Sequence, residues 1–93
     1  MADHKSAEKA ARQALTRRAR NQSMKAQVRT MIKRVKTLSL SLKNKEEAKK
    51  TLLPLMNKTQ SILMKAASRN VIKFGTASRY ISRLSSLVHQ ATS

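Results

Sequence analysis

Two residues, Pro54 and Gly75, are all that can readily break a helix in this chain of 93. Elsewhere Ala, Leu, Lys, Arg, Gln and Met dominate, and these lose little side-chain freedom in a helical turn. The chain is therefore expected to be all-α, with boundaries set by weaker marks: the Ser/Asn-rich stretch Ser39 to Asn44, and Ser68 to Gly75, which contains Asn70. The first of three helices should run from an N-cap near Ser6 to about Leu42, about 55 Å at 1.5 Å per residue. The second opens after Asn44, which can cap it while Glu47 reaches back in a capping box. Glu46 and Glu47 also complement the positive end of the helix dipole. It should end near Arg69, with Asn70 as the left-handed residue and Val71 or Ile72 closing back on the helix. Pro54 lies inside it and cannot donate to the Lys50 carbonyl, which predicts a kink there or a start delayed to Thr51. The third helix is expected from Thr76 to about Gln90.

Hydrophobic periodicity says how these helices meet. On a wheel with Arg18 at zero, Met24, Val28, Met31, Val35, Leu38 and Leu42 fall between about 200° and 280°, one continuous apolar stripe. The second helix offers Ala48, Leu52, Leu55, Met56, Thr59, Ile62, Leu63 and Ala66 within about 120° of arc. The third offers Ala77, Tyr80, Ile81, Leu84, Leu87, Val88 and Ala91 at alternating spacings of three and four. These stripes predict a three-helix bundle. Followed toward the amino terminus, the first stripe becomes Arg20, Arg17, Gln13 and Ala10, so no apolar partner can cover it. The chain is thus read as one domain over 1–93, with a basic helical extension at 1–22 projecting beyond a bundle at 23–93. Met24, Met31, Met56 and Met64 are read as core or near-core gap fillers.

Charge narrows the function. Twenty-one Lys and Arg against four Asp and Glu give a formal charge of +17. A domain this small buries only about 60–65% of its unfolded surface, and self-repulsion weakens it further. Ordinary solvated faces alternate sign, whereas here acids are nearly absent, so a polyanionic partner is expected. Lys5, Lys9, Arg12, Arg17, Arg18 and Arg20 surround the extension. Arg18, Lys25, Arg29 and Lys36 share one side of the first helix; Lys58, Lys65 and Arg69 form a row on the second, and Arg79 and Arg83 a row on the third.

Several chemistries drop out. With no Cys there is no disulfide, thiolate metal site or cysteine nucleophile, and a single Gly cannot build a phosphate-cradling loop. Glu46 and Glu47 point about 100° apart and cannot serve one substrate atom, so no enzyme is expected. No cofactor or metal site is expected either; Ala2-Asp3-His4, with Met1 removed, has a spacing able to wrap copper(II) or nickel(II) but is set aside. His89 stands alone. The basic amino terminus resembles a mitochondrial leader, which Asp3 and Glu8 argue against. The longest apolar run, Leu52 to Met56, is too short to span a bilayer.

Phe74 and Tyr80 are the only aromatic residues, too few to stack an unpaired strand. Leu15 is the only large apolar residue from Lys5 to Gln22, too little for a membrane-surface helix. Duplex or folded nucleic acid remains, held mainly through phosphates. Physics leaves DNA and RNA open. A histone-like DNA-compacting protein is the main alternative to an RNA binder, although no minor-groove wedge is visible. A basic amphipathic membrane binder is the weaker one.

The run Arg17 to Val35 (RRARNQSMKAQVRTMIKRV), preceded by Lys5-Ser6-Ala7, resembles the amino-terminal pattern of the bacterial small-subunit ribosomal protein S20 family. Asn70 to Leu84 (NVIKFGTASRYISRL) is similar to that family's second signature. The likeness covers essentially the whole chain. It implies a three-helix bundle, monomeric within the particle, in the cytoplasm. It also implies direct binding to 16S ribosomal RNA, in the 5′ domain and near the penultimate stem, and help with folding and assembly of the small subunit. Carried over by position, the RNA-binding residues are Lys5, Ser6, Arg17, Arg18, Arg20, Asn21, Lys25, Arg29, Thr30 and Lys33, then Lys73, Thr76, Arg79, Ser82 and Arg83. Lys9, Arg12, Lys36, Lys65 and Arg69 join them from the basic rows. The sequence departs from the family pattern at Glu8, Asn70, Lys73-Phe74-Gly75 and Tyr80-Ile81, and no contact is assigned to residues 74, 75, 80 and 81.

Overall fold

Helix formers with few breakers among them fold as their composition dictates. The computed structural model describes the backbone of residues 2–93 and the side chains from His4 onward. In chain order it contains α1 (Ala2–Ser41), α2 (Lys45–Ser68) and α3 (Phe74–Thr92), with no strand among the described residues. Each helix packs against the other two.

The boundaries differ from the sequence expectation in physically informative ways. α1 begins at Ala2, so Ser6 is an interior residue and not the cap; nothing in the preceding residues resists the helix. Asn44 does cap α2, with φ −85° and ψ 121°, and its Oδ1 accepts from the Glu46 N–H at 2.9 Å. The reciprocal bond of a capping box, from the Asn44 N–H to the Glu47 carboxylate, is not made; Glu47 stays exposed in the first turn. α2 then runs unbroken through Pro54, so its start is not delayed to Thr51. Pro54 and Lys50 are both exposed, which lets water satisfy the carbonyl that the proline leaves free.

At its other end α2 closes in a full Schellman motif. Asn70 has φ 59°, the only positive φ among the described non-glycine residues. The Val71 N–H donates to the Ala66 carbonyl at 2.9 Å and the Asn70 N–H to the Ala67 carbonyl at 3.1 Å. Val71 and Ile72 both pack on the core, completing the hydrophobic part of the motif. α3 starts two residues earlier than Thr76, with extended Lys73 accepting from the Ala77 N–H at 3.1 Å and no side chain capping the turn. Gly75 therefore lies in a first turn, where N–H groups have no helical partner in any case, and its breaking effect is small.

The core joins Val28, Ile32 and Val35 of α1 to Ala48, Leu52, Met56, Thr59, Leu63, Ala66 and Ala67 of α2 and to Ala77, Leu84 and Val88 of α3. Thr59 is fully buried, and its hydroxyl donates to the Leu55 carbonyl at 2.8 Å, which satisfies it inside the core. Ile32, at the margin of the wheel stripe, is buried because α1 has two partners and covers a wider arc than one partner would require. Met24, Met31 and Met56 are buried or half-buried, but Met64 is 39% exposed and belongs to the surface of α2.

All this burial lies downstream of residue 20. Residues 4–20 are exposed without exception, and Asn21 is the first to be partly covered. The outline is accordingly elongated, 66 × 20 × 15 Å, with a radius of gyration of 18.1 Å. A compact chain of this length would have about 12 Å.

Candidate nucleic-acid interface

The amino-terminal rod is built from one idea repeated at every turn: cations without counter-ions. Residues 4–20 carry Lys5, Lys9, Arg12, Arg17, Arg18 and Arg20 on a helix whose only large apolar side chain, Leu15, is 64% exposed. The single contact between a basic side chain and a carboxylate among the described residues is His4 to Glu8, 3.1 Å between Nε2 and Oε1 and exposed on both sides. No Lys or Arg among the described residues lies within 4.0 Å of a carboxylate. Glu46 and Glu47 sit in the first turn of α2, where they answer the helix dipole instead.

Every residue singled out from the sequence is solvent-facing apart from Asn21 and Thr76, which are half-buried. The structure groups them into several sets. Lys9, Arg12, Arg17 and Arg20 border one shallow depression along the rod, with Gln13 and Thr16 between them. The Thr16 hydroxyl is turned onto the Arg12 carbonyl at 3.0 Å. Thr30 and Lys33 border another on α1, whose hydroxyl at Thr30 donates to the Ala26 carbonyl at 2.9 Å. Lys65 and Arg69 edge a broad polar face of α2 with Asn57, Gln60, Ser61 and Ser68. Thr76, Arg79 and Arg83 share a small recess on α3 with Tyr80. Lys5, Ser6, Arg18, Lys25, Arg29, Lys36, Lys73 and Ser82 are exposed on the surface.

One grouping crosses elements. Where α1 leaves the bundle, Arg17, Arg20 and Asn21 face Arg69 from the end of α2 across a cleft of about 460 Å³, with Met24 and Val71 also lining it. Both of those apolar residues pack on the core and so tie the cleft to the bundle. Sequence reasoning placed these residues in separate rows, because only the fold brings Arg69 to the root of the rod. It also passed over Arg34, which borders the Thr30 and Lys33 depression and could have been found four residues beyond Thr30 on the same helical row.

Metal chemistry has little to build on: among the described residues no three His, Cys, Asp or Glu side chains come together. The Ala2-Asp3-His4 spacing lies partly outside the residues whose side chains are described. No helix among the described residues is long and apolar enough to cross a membrane.

A family model, that of Ribosomal protein S20, matches residues 2–89, taking in the rod, the bundle and the cleft between them. The chain belongs to the S20 family. Small ribosomal subunit protein bS20 of Nitratidesulfovibrio vulgaris is 40% identical over 90 residues, covering 97% of this chain and 98% of that one. Its counterpart in Desulforapulum autotrophicum is 42% identical over 84 residues, covering 90% and 94%. That in Rickettsia akari is 45% identical over 85 residues, covering 91% and 89%. No solved structure matches the chain. As an S20-family member the chain is a structural constituent of the small ribosomal subunit, located in the ribosome in the cytoplasm, and not an enzyme.

Proposed function

We propose that this chain binds 16S ribosomal RNA directly and supports its folding during assembly of the small subunit. Residues 1–22 act as the RNA-binding extension and residues 23–93 as the bundle that positions it. The observation that carries the reading is the stretch 4–20, exposed at every residue, with six cations and no Lys or Arg paired to a carboxylate among the described residues. An isolated helix of that length is marginal in water, and phosphates on several sides would both neutralise and order it. The basic rows of the bundle extend the contact, Arg18, Lys25, Arg29 and Lys36 on α1, Lys65 and Arg69 on α2, Lys73, Arg79 and Arg83 on α3. Ser6, Asn21, Thr30, Thr76 and Ser82 add hydrogen bonds to phosphate or sugar. The mechanism is electrostatic clamping: once their phosphates are neutralised, RNA helices that repel each other can pack against opposite sides of a narrow protein.

Family resemblance supports the 5′ domain and the penultimate stem as targets and a monomer as the bound form. Filter binding with 5′-domain RNA, generic duplex DNA and anionic vesicles tests the reading. RNA preference that survives competitor DNA, with log K falling by about 0.7–0.9 per phosphate contact per log unit of salt, is the expected result. Equal affinity for duplex DNA, or stronger binding to vesicles, would transfer the function to one of the alternative partners.

A further inference from the structure

The cleft at the root of the rod is assembled from two helices. Arg17, Arg20 and Asn21 come from α1, and Arg69 comes from the last residue before the Schellman turn of α2. Three arginine side chains thus line one concavity of about 460 Å³, and none of them lies within 4.0 Å of a carboxylate among the described residues. Like charges gathered on one concavity repel, and no carboxylate among the described residues is close enough to pair with them. The Arg fork matches the oxygens of a phosphate in two-point geometry, and the Asn21 amide can donate to a third oxygen. The backbone at Arg69 is set by the turn: left-handed Asn70 and the bond from Val71 N–H to the Ala66 carbonyl close the end of α2, and Val71 packs on the core.

We propose that this cleft seats one phosphate group that bridges α1 and α2, so that the site exists only in the folded bundle. The seated phosphate fastens the root of the rod to the bundle. This deepens the RNA-binding reading and rests on it for the source of the phosphate, a diester of the bound strand. Free inorganic phosphate has the same chemistry, and the test separates the two.

The test is a double-mutant cycle on the full chain with Arg17→Gln and Arg69→Gln, read as affinity for 5′-domain RNA at fixed salt. Loss of a charge-assisted contact lowers affinity by roughly tenfold for either variant. If one phosphate is shared, the double variant falls only about twofold further, whereas independent contacts would multiply to about a hundredfold. Arg17→Gln with Arg83→Gln, on a helix that does not line the cleft, is the control pair and should multiply. A second arm measures the rise in thermal midpoint on replacing chloride with inorganic phosphate at equal ionic strength, for the parent and the double variant. Coupling in the RNA arm alone assigns the seat to a diester. A phosphate-dependent rise that disappears in the double variant shows that the seat also takes the free anion. Multiplicative RNA effects together with identical phosphate responses overturn the proposal while leaving the RNA-binding reading intact. If the parent chain shows no preference for RNA, that reading fails, and the second arm alone decides whether the cleft seats phosphate.

Discussion

Deleting residues 1–20 should separate binding from stability. No residue of the core or of the partly buried apolar shell around it precedes Met24, and each of residues 4–20 is exposed, so the truncation removes little buried apolar surface. It also removes six Lys and Arg and two acids, easing the repulsion within a chain of formal charge +17. The thermal midpoint of the remaining bundle is therefore expected within about 2 °C of the parent. A loss of only 1 kcal/mol would already lower it by about 4–8 °C in a domain of this size. Affinity should behave in the opposite way. Six phosphate contacts contribute about 4 to 5 to the slope of log K against log salt. Between 50 and 200 mM salt the advantage of the full chain over the truncated one should then shrink by roughly a few hundredfold to a thousandfold. Calorimetry on both proteins and RNA titrations across that range make the comparison. An unchanged salt slope, or a midpoint that falls by more than about 4 °C, would refute the picture of an uncovered binding rod.

Three further outcomes follow from individual positions. Leu63→Ala, at a side chain with no solvent exposure in the middle of α2, should cost about 3–5 kcal/mol in urea unfolding, enough to leave so small a bundle largely unfolded without its partner. Asn70→Ala should cost about 1 kcal/mol, because alanine is strained at φ 59°, whereas Asn70→Gly should be neutral or better; denaturation of the two variants side by side checks the sign. Pro54→Ala should raise stability by about 1–2 kcal/mol, since Pro54 is exposed and alanine restores the missing bond to the Lys50 carbonyl, partly offset by a freer unfolded chain.

Much of the fold could be read in the sequence because its signals are local. Val35, Leu52 and Leu84 fall on stripes of helical period, and a stripe with no other outlet must be core. Asn70 was legible because few residues besides glycine accept a left-handed backbone at a helix end. Where prediction and structure part, longer-range packing is the cause. Ile32 lies outside the stripe a single partner would bury, and Met64 has the right hydrophobicity but no helix facing it. Gly75 looks like a boundary until its place in an unbonded first turn is known. The charge rows were visible one helix at a time. The meeting of Arg69 with Arg17 and Arg20 depends on the angle at which α2 returns to α1, which no spacing in the chain records.

The unbroken course of α1 has a consequence for timing around its axis. Because one helix carries both the rod and a wall of the bundle, the azimuth of every cation at the tip is locked to that of the core. One residue inserted near Gln22 would swing the whole tip through about 100° and carry it about 1.5 Å outward. Seven inserted residues would return it to within about 20° of its starting heading, displaced by about 10 Å. The rod therefore behaves as a threaded shaft, in which rotation and reach cannot be changed independently.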